Sequence, residues 1–382
     1  MEQFVVSARK YRPATFATVV GQSHITNTLK NAIKNNHLAQ AFLFCGPRGV
    51  GKTTCARILA KTINCENRTP DCEACGKCPS CVSFQQNASF NVIELDAASN
   101  NSVDDIRNLV EQVRYAPQAG KKKVYIIDEV HMLSNAAFNA FLKTLEEPPS
   151  YAIFILATTE KHKIIPTILS RCQIFDFNRI LIQDIVGNLS DIAQKENIQA
   201  EQEALHLIAQ KADGGMRDAL SLFDMISTFS PDRKITYQQT IQNLHILDYD
   251  YYFRLTECLI SENVSQSLLI FNEILRKGFD GHNFIIGLCE HLRNLMVSKD
   301  PTTVSLLEVS ENAAERYKNQ AAKVDLSFLM TALNIGNQCD LQYKSSKNQR
   351  FLVELTLMKM CFINNAIRLT KESIELSIEK KN

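Results

Sequence analysis

The sequence has almost no net charge, no long apolar run and no internal repeat. Its 42 lysines and arginines face 41 acidic residues, so no overall field draws the chain to nucleic acid or to a membrane, and any DNA contact must come from a local patch or from assembly. No apolar run approaches the roughly 18 residues of a membrane-spanning helix. The first residues lack the basic stretch and long apolar core of a signal peptide. We therefore expect a cytoplasmic protein without membrane contact.

Cysteine, by contrast, is abundant, and a short segment that also holds Pro70, Gly76 and Pro79 contains Cys65, Cys72, Cys75, Cys78 and Cys81. In the cytoplasm, clustered thiols favour metal binding over disulfides. The run Cys75-x2-Cys78-x2-Cys81 with one cysteine upstream offers four thiolates for a tetrahedral, structural Zn²⁺. Spacing alone leaves the first ligand open between Cys65 and Cys72. The alternative is a set of free thiols in a loop.

The strongest motif is a phosphate-binding loop of the pattern GxxxxGK[ST]. It lies between an apolar, strand-like run at 41–45 and a helix-forming run at 55–61, as the motif requires. Its glycines let backbone N–H groups point at phosphates, and the helix N-terminus adds positive potential. We expect Lys52 to reach the β- and γ-phosphates of a nucleotide and the Thr53 hydroxyl to bind Mg²⁺. The loop comprises Gly46, Pro47, Arg48, Gly49, Val50, Gly51, Lys52, Thr53 and Thr54. A glycine-rich turn that matches by chance is the alternative.

A pair of acids follows the apolar run at 124–127. That run is typical of a buried parallel strand, and ligands bind at the carboxyl end of such strands. We expect Asp128 to hold the Mg²⁺ shell through water and Glu129 to orient and polarise the attacking water. The alternative is that both acids only cap the next helix.

Four further residues, Thr158, Thr159, Arg171 and Arg217, carry polar side chains that could contact a phosphate. Thr158 and Thr159 end an apolar run at 152–157, where hydroxyls could sense a γ-phosphate, although a β-branched pair at a strand end explains them equally well. Arg171 is by default a surface charge, unless assembly brings it to a neighbour's γ-phosphate. Arg217 begins a predicted helix, where it could reach phosphate or merely solubilise beside Asp218. The basic cluster at 9–12, taken alone, predicts a solvated N-terminal arm.

The order of apolar patterns predicts an α/β core followed by helices. Strands are predicted at 41–45, 91–96, 124–127, 152–157 and 173–177, with amphipathic helices between them. From residue 178 we expect no further strands. We therefore predict a nucleotide-binding core at 1–178 with the cysteine insertion at about 64–82, a small helical subdomain at 179–243 that can close over the nucleotide, an all-helical domain at 244–365 for scaffolding or subunit packing, and a charged tail at 366–382.

Several motifs together resemble one family. They are, in order, residues 12–22 (Arg-Pro-x2-Phe-x2-Val-Val-Gly-Gln), the phosphate loop, the cysteine insertion, 95–99 (Leu-Asp-Ala-Ala-Ser), 124–133, 143–149 (Lys-Thr-Leu-Glu-Glu-Pro-Pro), 157–159 (Ala-Thr-Thr), 170–172 (Ser-Arg-Cys) and 217–220 (Arg-Asp-Ala-Leu). With them the chain resembles the gamma/tau subunits of bacterial DNA polymerase III, the AAA+ motors of the replicative clamp loader. The resemblance is dense over about 1–225 and weaker beyond.

The resemblance implies a fold and a function. The fold would be an AAA+ P-loop core with a parallel sheet, a helical lid and an all-helical collar that serves oligomerisation. The function would be that of an ATPase within the DNA polymerase III holoenzyme, a DNA-directed DNA polymerase. It would work in a pentameric ring with non-identical subunits, opening the sliding clamp when ATP binds and releasing the closed clamp on primed DNA when ATP is hydrolysed.

The resemblance also implies residue roles. Arg171 looks like an arginine finger acting in trans, Arg217 like the lid sensor, and Thr159, rather than Thr158, like the γ-phosphate sensor. Val20 would line the adenine pocket. The residues that match the family's zinc ligands are Cys65, Cys75, Cys78 and Cys81, which leaves Cys72 extra.

Two departures limit what the resemblance implies. Asn100, Asn101 and Ser102 stand where relatives often carry basic residues that touch DNA, although Arg107 remains a candidate contact. The chain ends at residue 382, whereas the family's long form carries a C-terminal extension that binds helicase and polymerase. The chain is either a short form or a piece of a longer protein, so this sequence gives no support for contacts with those two partners.

Two other functions are weighed against the motor. One is a non-hydrolysing structural subunit of the same ring, which would not need intact Lys52, Thr53, Asp128 and Glu129. The other is a different AAA+ DNA motor, such as a branch-migration motor or a replication initiator. The cysteine insertion disfavours both of these machines, and the sequence shows no terminal helix-turn-helix of the kind an initiator needs.

Overall fold

The computed structural model describes residues 5–117, 122–230, 232–244, 247–300, 302–307, 309 and 311–369. These residues form two compact units, divided between Ile235 and Thr236. Within the described ranges, no helix is long and apolar enough to cross a membrane. The predicted boundaries at 178/179 and 243/244 stay predictions, and the predicted tail lies outside the described residues from 370 onward.

The first unit is built on a five-stranded sheet in the order β2-β3-β4-β1-β5, with every neighbouring pair parallel. Residues of β1 and β4 are all buried, as expected for parallel strands covered on both faces. The sheet confirms the predicted α/β fold class. Its strands are β1 (Ala41–Cys45), β2 (Val92–Asp96), β3 (Lys123–Asp128), β4 (Ala152–Thr158) and β5 (Gln173–Asp176).

Helices cover both faces of this sheet. Alternate residues of β1 point to opposite sides: Phe42 and Phe44 join one apolar cluster with α2 and α3, and Leu43 joins another with α5 and α6. The predicted N-cap Ser102 accepts a hydrogen bond from the Asp105 N–H and starts α5. The helices are α1 (Ser7–Lys10), α2 (Ser23–Lys34), α3 (Lys52–Asn64), α4 (Pro79–Gln85), α5 (Val103–Val113), α6 (Asn135–Glu146) and α7 (Pro166–Leu169), with 3₁₀ turns at Phe16–Thr18, Val130–Met132 and Lys161–Lys163.

A small helical subdomain completes the first unit with α8 (Ile182–Lys195), α9 (Gln202–Lys211) and α10 (Met216–Phe229). The expectation that strands stop at residue 178 is wrong, because β6 (Gln199–Ala200) and β7 (Lys234–Ile235) pair in parallel. The Gln199 N–H donates to the Arg233 carbonyl at 2.9 Å, and the Glu201 N–H donates to the Ile235 carbonyl at 3.0 Å. Strands of two residues are too short to leave a periodic pattern in the sequence.

The described part of the second unit is helical, as predicted, and has its own apolar core. His291 is buried in that core between the Tyr317 hydroxyl (3.0 Å) and the Gln320 side chain (3.2 Å). Burial lowers the pKa of His291 to about 3, so this histidine is a neutral packing residue. The helices are α11 (Tyr237–Leu244), α12 (Tyr249–Ile260), α13 (Val264–Arg276), α14 (Gly281–Val297), α15 (Glu311–Ala321), α16 (Leu326–Tyr343) and α17 (Gln349–Cys361), with a 3₁₀ turn at Val304–Leu306.

Candidate functional site

The phosphate loop connects β1 to α3 through three glycines in the left-handed half of backbone space. Gly46, Gly49 and Gly51 have φ values of 146°, 77° and 106°. A Cβ on Gly46 would lie 2.4 Å from the Phe177 carbonyl oxygen, so a side chain there would clash as well as strain the backbone. Directly after these three glycines the chain enters α3, which begins at Lys52.

Lys52 lies back across this loop. Its ammonium donates hydrogen bonds to the carbonyls of Gly46 and Pro47, both at 2.7 Å, and the residue is only 6% exposed. Burial lowers the pKa of Lys52, while the nearby Glu129 and Asp128 carboxylates oppose that shift. Carbonyls of the loop thus hold the buried ammonium group beside the loop, where the lysine of this motif contacts phosphate oxygens.

The carboxyl end of β3 meets the first turn of α3. The Thr53 hydroxyl donates to the Asp128 carboxylate at 2.6 Å. A hydroxyl and a carboxylate are hard oxygen ligands of the kind Mg²⁺ takes, so the pair fits this ion. The contact is possible because β1 and β3 flank β4, which brings their carboxyl ends to one edge of the sheet.

Glu129 adopts a left-handed conformation, with φ of 48°, at the turn after β3. Such strain in a residue other than glycine concentrates at functional sites. Its carboxylate accepts hydrogen bonds from the Thr159 hydroxyl (3.0 Å) and N–H (3.3 Å) at the end of β4. The structure thus joins the predicted water-orienting residue to the predicted sensor.

The two adjacent threonines have different environments. Thr158 is fully buried, and its hydroxyl lies 3.0 Å from His131 Nδ1 and accepts from the Glu160 N–H. Thr159 instead faces Glu129. Strand spacing could not separate these residues, because the difference depends on which neighbours the turns after β3 and β4 supply.

A cavity of about 540 Å³ extends from the loop to the helical subdomain, a volume typical of small-ligand sites. The N–H of Arg217, in the first turn of α10, donates to the Gly49 carbonyl at 3.3 Å, which holds the helix start against the loop. Gly46, Pro47 and Thr159 lie close by but do not line the cavity. The predicted residues that do line it are Val20, Arg48, Gly49, Val50, Gly51, Lys52, Thr53, Thr54, Asp128, Glu129 and Arg217.

Arg171 lies away from this cavity, after α7. Its guanidinium donates to the Thr167 carbonyl at 2.7 Å and to the Glu146 carboxylate at 2.6 Å, and its side chain is 33% exposed. Arg171 therefore does not serve the cavity of its own chain in this arrangement. Arg107, the candidate DNA contact, is exposed on α5 and pairs with Asp104 at 3.2 Å.

The N-terminal basic cluster was missed as part of the site. Arg9, Lys10 and Arg12 are exposed to solvent as predicted, but they do not form a free arm: Tyr11 and Arg12 line the cavity, and Arg12 Nε donates to the Thr54 hydroxyl at 3.3 Å. Lys10 pairs at 2.5 Å with Glu196, the residue that follows α8, and this pair anchors the segment to the helical subdomain. The Arg12-Pro13 pair, at the start of the family-like segment 12–22, was the sequence signal from which the docking of this cluster at the site could have been predicted. Charge pattern alone cannot distinguish a docked segment from a free one.

Four thiols of the cysteine insertion converge. The sulfurs of Cys65, Cys75, Cys78 and Cys81 all lie within 4.8 Å of one another. A tetrahedral Zn²⁺ with bonds of about 2.3 Å places its sulfurs about 3.8 Å apart, close to the 4.0 Å between Cys65 and Cys78. Cys72 instead packs against the apolar core, with φ of 58°. Of the two candidates for the first ligand, the structure brings Cys65 to the cluster.

Backbone donors surround these sulfurs. The N–H groups of Lys77 and Cys78 donate to the Cys75 sulfur at 3.4 and 3.3 Å and lower the pKa of that thiol to about 6. The Cys75 N–H donates to the Cys65 sulfur at 3.2 Å. Burial acts the other way on Cys81 and raises its pKa to about 12. N–H groups aimed at thiolates are the outer-shell support that metal-ligating cysteines use.

Sequence profiles of three families match successive parts of the chain. The profile of the DNA polymerase III delta subunit matches residues 21–180. The ATPase lid domain of a DNA polymerase III clamp loader subunit matches 184–226, and domain III of the DNA polymerase III gamma and tau subunits matches 235–373. The core is thus an AAA+ P-loop domain followed by the clamp-loader lid and a helical C-terminal domain.

Two relatives, a tau subunit and a gamma subunit, agree with these profiles. The chain is 42% identical to DNA polymerase III subunit tau of Bacillus subtilis over 92% of its own length and 62% of that protein. It is 34% identical to DNA polymerase III subunit gamma of Buchnera aphidicola over 94% of its length and 97% of that protein. Among solved structures, the Thermotoga maritima RuvB branch migration motor aligns with a TM-score of 0.47 at 19% identity, over 65% of this chain and 79% of that one.

The chain spans 55–62% of the length of the tau subunits it matches, and nearly the whole of the gamma subunit. The combination of profile matches and of 34% identity across that gamma subunit settles the family. The chain belongs to the DNA polymerase III gamma/tau family of clamp-loader subunits.

Proposed function

We propose that the chain is the ATP-hydrolysing motor subunit of a bacterial replicative clamp loader, which opens the sliding clamp and loads it on primed DNA. The observation that carries the proposal is the convergence of the phosphate loop, the β3 acids and the lid residue Arg217 on one cavity. A site shared between core and lid can change their relation when a nucleotide fills it.

Each residue of the cavity has a part in this proposal. The loop N–H groups and Lys52 bind the phosphates, and Thr53 and Asp128 hold Mg²⁺. The bound ion supplies charge neutralisation on the phosphates. Glu129 polarises the attacking water. The Thr159 hydroxyl donates a hydrogen bond to the Glu129 carboxylate. A γ-phosphate that bound Thr159 would therefore free this carboxylate to contact the attacking water.

The remaining predicted residues serve binding and assembly. Val20 contributes to the apolar wall against the adenine, and Arg217 carries the lid onto the γ-phosphate. Arg171 acts in trans on the neighbouring subunit's γ-phosphate, exchanging its ion pair with Glu146 for that contact. The site is therefore complete only between subunits of a pentameric ring.

The proposed partners are the other clamp-loader subunits, the sliding clamp and primed DNA, and the proposed location is the cytoplasm, where the bacterial chromosome is copied. The support is membership of the family and the match to its lid and gamma/tau domains. The polymerase activity belongs to the holoenzyme, and we assign none to this chain.

We also propose a structural Zn²⁺ on Cys65, Cys75, Cys78 and Cys81. The support is the clustering of four sulfurs and the N–H groups directed at two of them. With four protein ligands the ion would have no open position, so it would stabilise the insertion without taking part in hydrolysis.

Steady-state ATP turnover tests the motor function directly. We expect slow turnover by the chain alone and strong stimulation only when partner subunits, sliding clamp and primed DNA are all present, because the site is completed by a neighbour. Turnover that ignores clamp and primer would indicate another AAA+ machine. ATP binding without turnover under any condition would indicate a structural subunit.

Glu129→Gln should retain ATP binding and reduce turnover about 100-fold or more, because it removes a general base while keeping the side chain's shape. Filter binding of ATP and phosphate release in the assembled complex measure the two effects. Glu111→Gln, at an exposed position of α5, is the matched control and should behave as the unsubstituted chain. Unchanged turnover in Glu129→Gln would remove Glu129 from its assigned role.

Arg171→Ala should leave ATP binding unchanged and reduce hydrolysis in the assembled ring about 1,000-fold, the usual contribution of an arginine finger. Glu146→Ala is the control, because it breaks the same ion pair but keeps the arginine. Equal losses in both variants would assign the effect to the ion pair. A loss that does not depend on assembly would contradict action in trans.

Cys75→Ser should abolish zinc binding, whereas Cys72→Ser should retain it, because Cys75 belongs to the sulfur cluster and Cys72 does not. Elemental analysis of full-length protein purified without chelators measures the metal, and thermal unfolding should show a lower midpoint for Cys75→Ser alone. An unsubstituted protein without zinc, or equal zinc in both variants, would show the assignment to be wrong.

A further inference from the structure

We infer that Glu73, within the cysteine insertion, is a positioning residue. It holds in place Val19 and Val20, which form one wall of the nucleotide cavity. The inference rests on the proposed binding of ATP in that cavity. It gives the insertion a role in nucleotide binding, although none of the clustered cysteines lines the cavity.

The Glu73 carboxylate is buried against the start of a 3₁₀ turn. Its two oxygens accept hydrogen bonds from the Phe16 N–H at 2.9 Å and the Ala17 N–H at 3.0 Å, and the residue is 8% exposed. Lys30 of α2 balances the charge at 2.8 Å. The first N–H groups of a helical turn have no partner within the turn, so an anion placed there satisfies them.

The fold of the insertion fixes this carboxylate. The Glu73 N–H donates to the Thr69 hydroxyl at 3.1 Å, and the Thr69 N–H donates to the Glu73 carbonyl at 2.9 Å. Cys72 turns the chain in a left-handed conformation immediately before Glu73. Cys75 follows two residues later and enters the sulfur cluster. The Glu73 carboxylate therefore extends from a loop that is closed by hydrogen bonds to Thr69, and Cys75 holds the following residues at the sulfur cluster.

The turn that Glu73 holds leads directly into the cavity wall. Phe16 is buried in the core, and its carbonyl accepts from the Val19 N–H at 3.2 Å at the end of the turn. Val19 and Val20 then line the cavity. Beyond them, the Gln22 side chain donates to the Asn178 carbonyl at 2.7 Å. The wall segment is thus held by the insertion on one side and by the end of the core on the other.

Val19 and Val20 are among the apolar residues that line the cavity, together with Ile180, Met216 and Leu220. Apolar side chains of this kind suit the flat face of a nucleobase, whereas the phosphate loop binds the charged end. A shift of Val19 and Val20 should therefore weaken contacts to the base and leave contacts to the phosphates intact. That division makes the role of Glu73 distinguishable from a general loss of structure.

The test compares ATP with inorganic tripolyphosphate, which lacks the base and ribose, by calorimetric titration of the full chain. In Glu73→Gln one acceptor becomes a donor and the Lys30 ion pair is lost, so one of the two N–H groups of Phe16 and Ala17 is left without an acceptor and we expect ATP to bind about tenfold more weakly. Tripolyphosphate should bind as before. Glu66→Gln, the same charge change at an exposed position of the same insertion, should alter neither affinity.

The outcomes separate this inference from the proposed function. If the unsubstituted chain binds ATP and Glu73→Gln binds it equally well, the inference is wrong and the proposed function stands. Equal weakening of ATP and tripolyphosphate would likewise overturn a role confined to the base wall. If the unsubstituted chain fails to bind ATP, the proposed function falls and the inference falls with it.

A second measurement applies if Glu73→Gln does not fold. Glu73→Asp keeps the charge but is one methylene shorter, so it cannot reach both N–H groups while it pairs with Lys30. Hydrogen exchange at the Phe16 and Ala17 amides should be faster in Glu73→Asp than in the unsubstituted chain. Unchanged exchange at both amides would show that the carboxylate does not hold the turn.

Discussion

The curl of the loop between β1 and α3 is the constraint on which the first unit depends. Its positive φ values at Gly46, Gly49 and Gly51 bring the chain back over itself, so that α3 begins with its N-terminus and Lys52 facing the cavity. The sheet order then supplies the acids: with β4 between β1 and β3, the end of β3 reaches the first turn of α3 and Asp128 bonds to Thr53. Loop and sheet edge form one site because the parallel strands end on the same side.

Two segments distant in sequence close the rest of the cavity, and each is held by polar contacts. The lid helix α10 is held to the loop by the N–H of Arg217. The N-terminal segment is held to the end of α8 through Glu196 and to the cysteine insertion through Glu73. A change in the insertion or in the lid can therefore reach the same wall of the cavity, because both hold the one segment that forms it.

In the proposed motor, hydrolysis would depend on groups that already have partners within this chain. Lys52 bonds to loop carbonyls, Glu129 accepts from Thr159, and Arg171 pairs with Glu146. Each of these contacts uses the charge that phosphate chemistry would need. A nucleotide and a neighbouring subunit would have to replace them, which links turnover to assembly in the proposed motor.

The sequence by itself determined the sheet, the phosphate loop, the β3 acids and the cysteine cluster, because each follows from local rules: apolar runs, obligatory glycines and ligand spacing. It also carried the family, through motifs in order. Spacing left Cys65 and Cys72 open and the resemblance favoured Cys65, and the tertiary structure brings Cys65 into the sulfur cluster while Cys72 packs against the core. Only the tertiary structure decided that Thr159 meets Glu129 and that the N-terminal basic segment docks beside the loop. The docking of the N-terminal segment depends on contacts between residues far apart in sequence, such as Lys10 and Glu196 at 186 positions, and no local pattern encodes a partner at that separation.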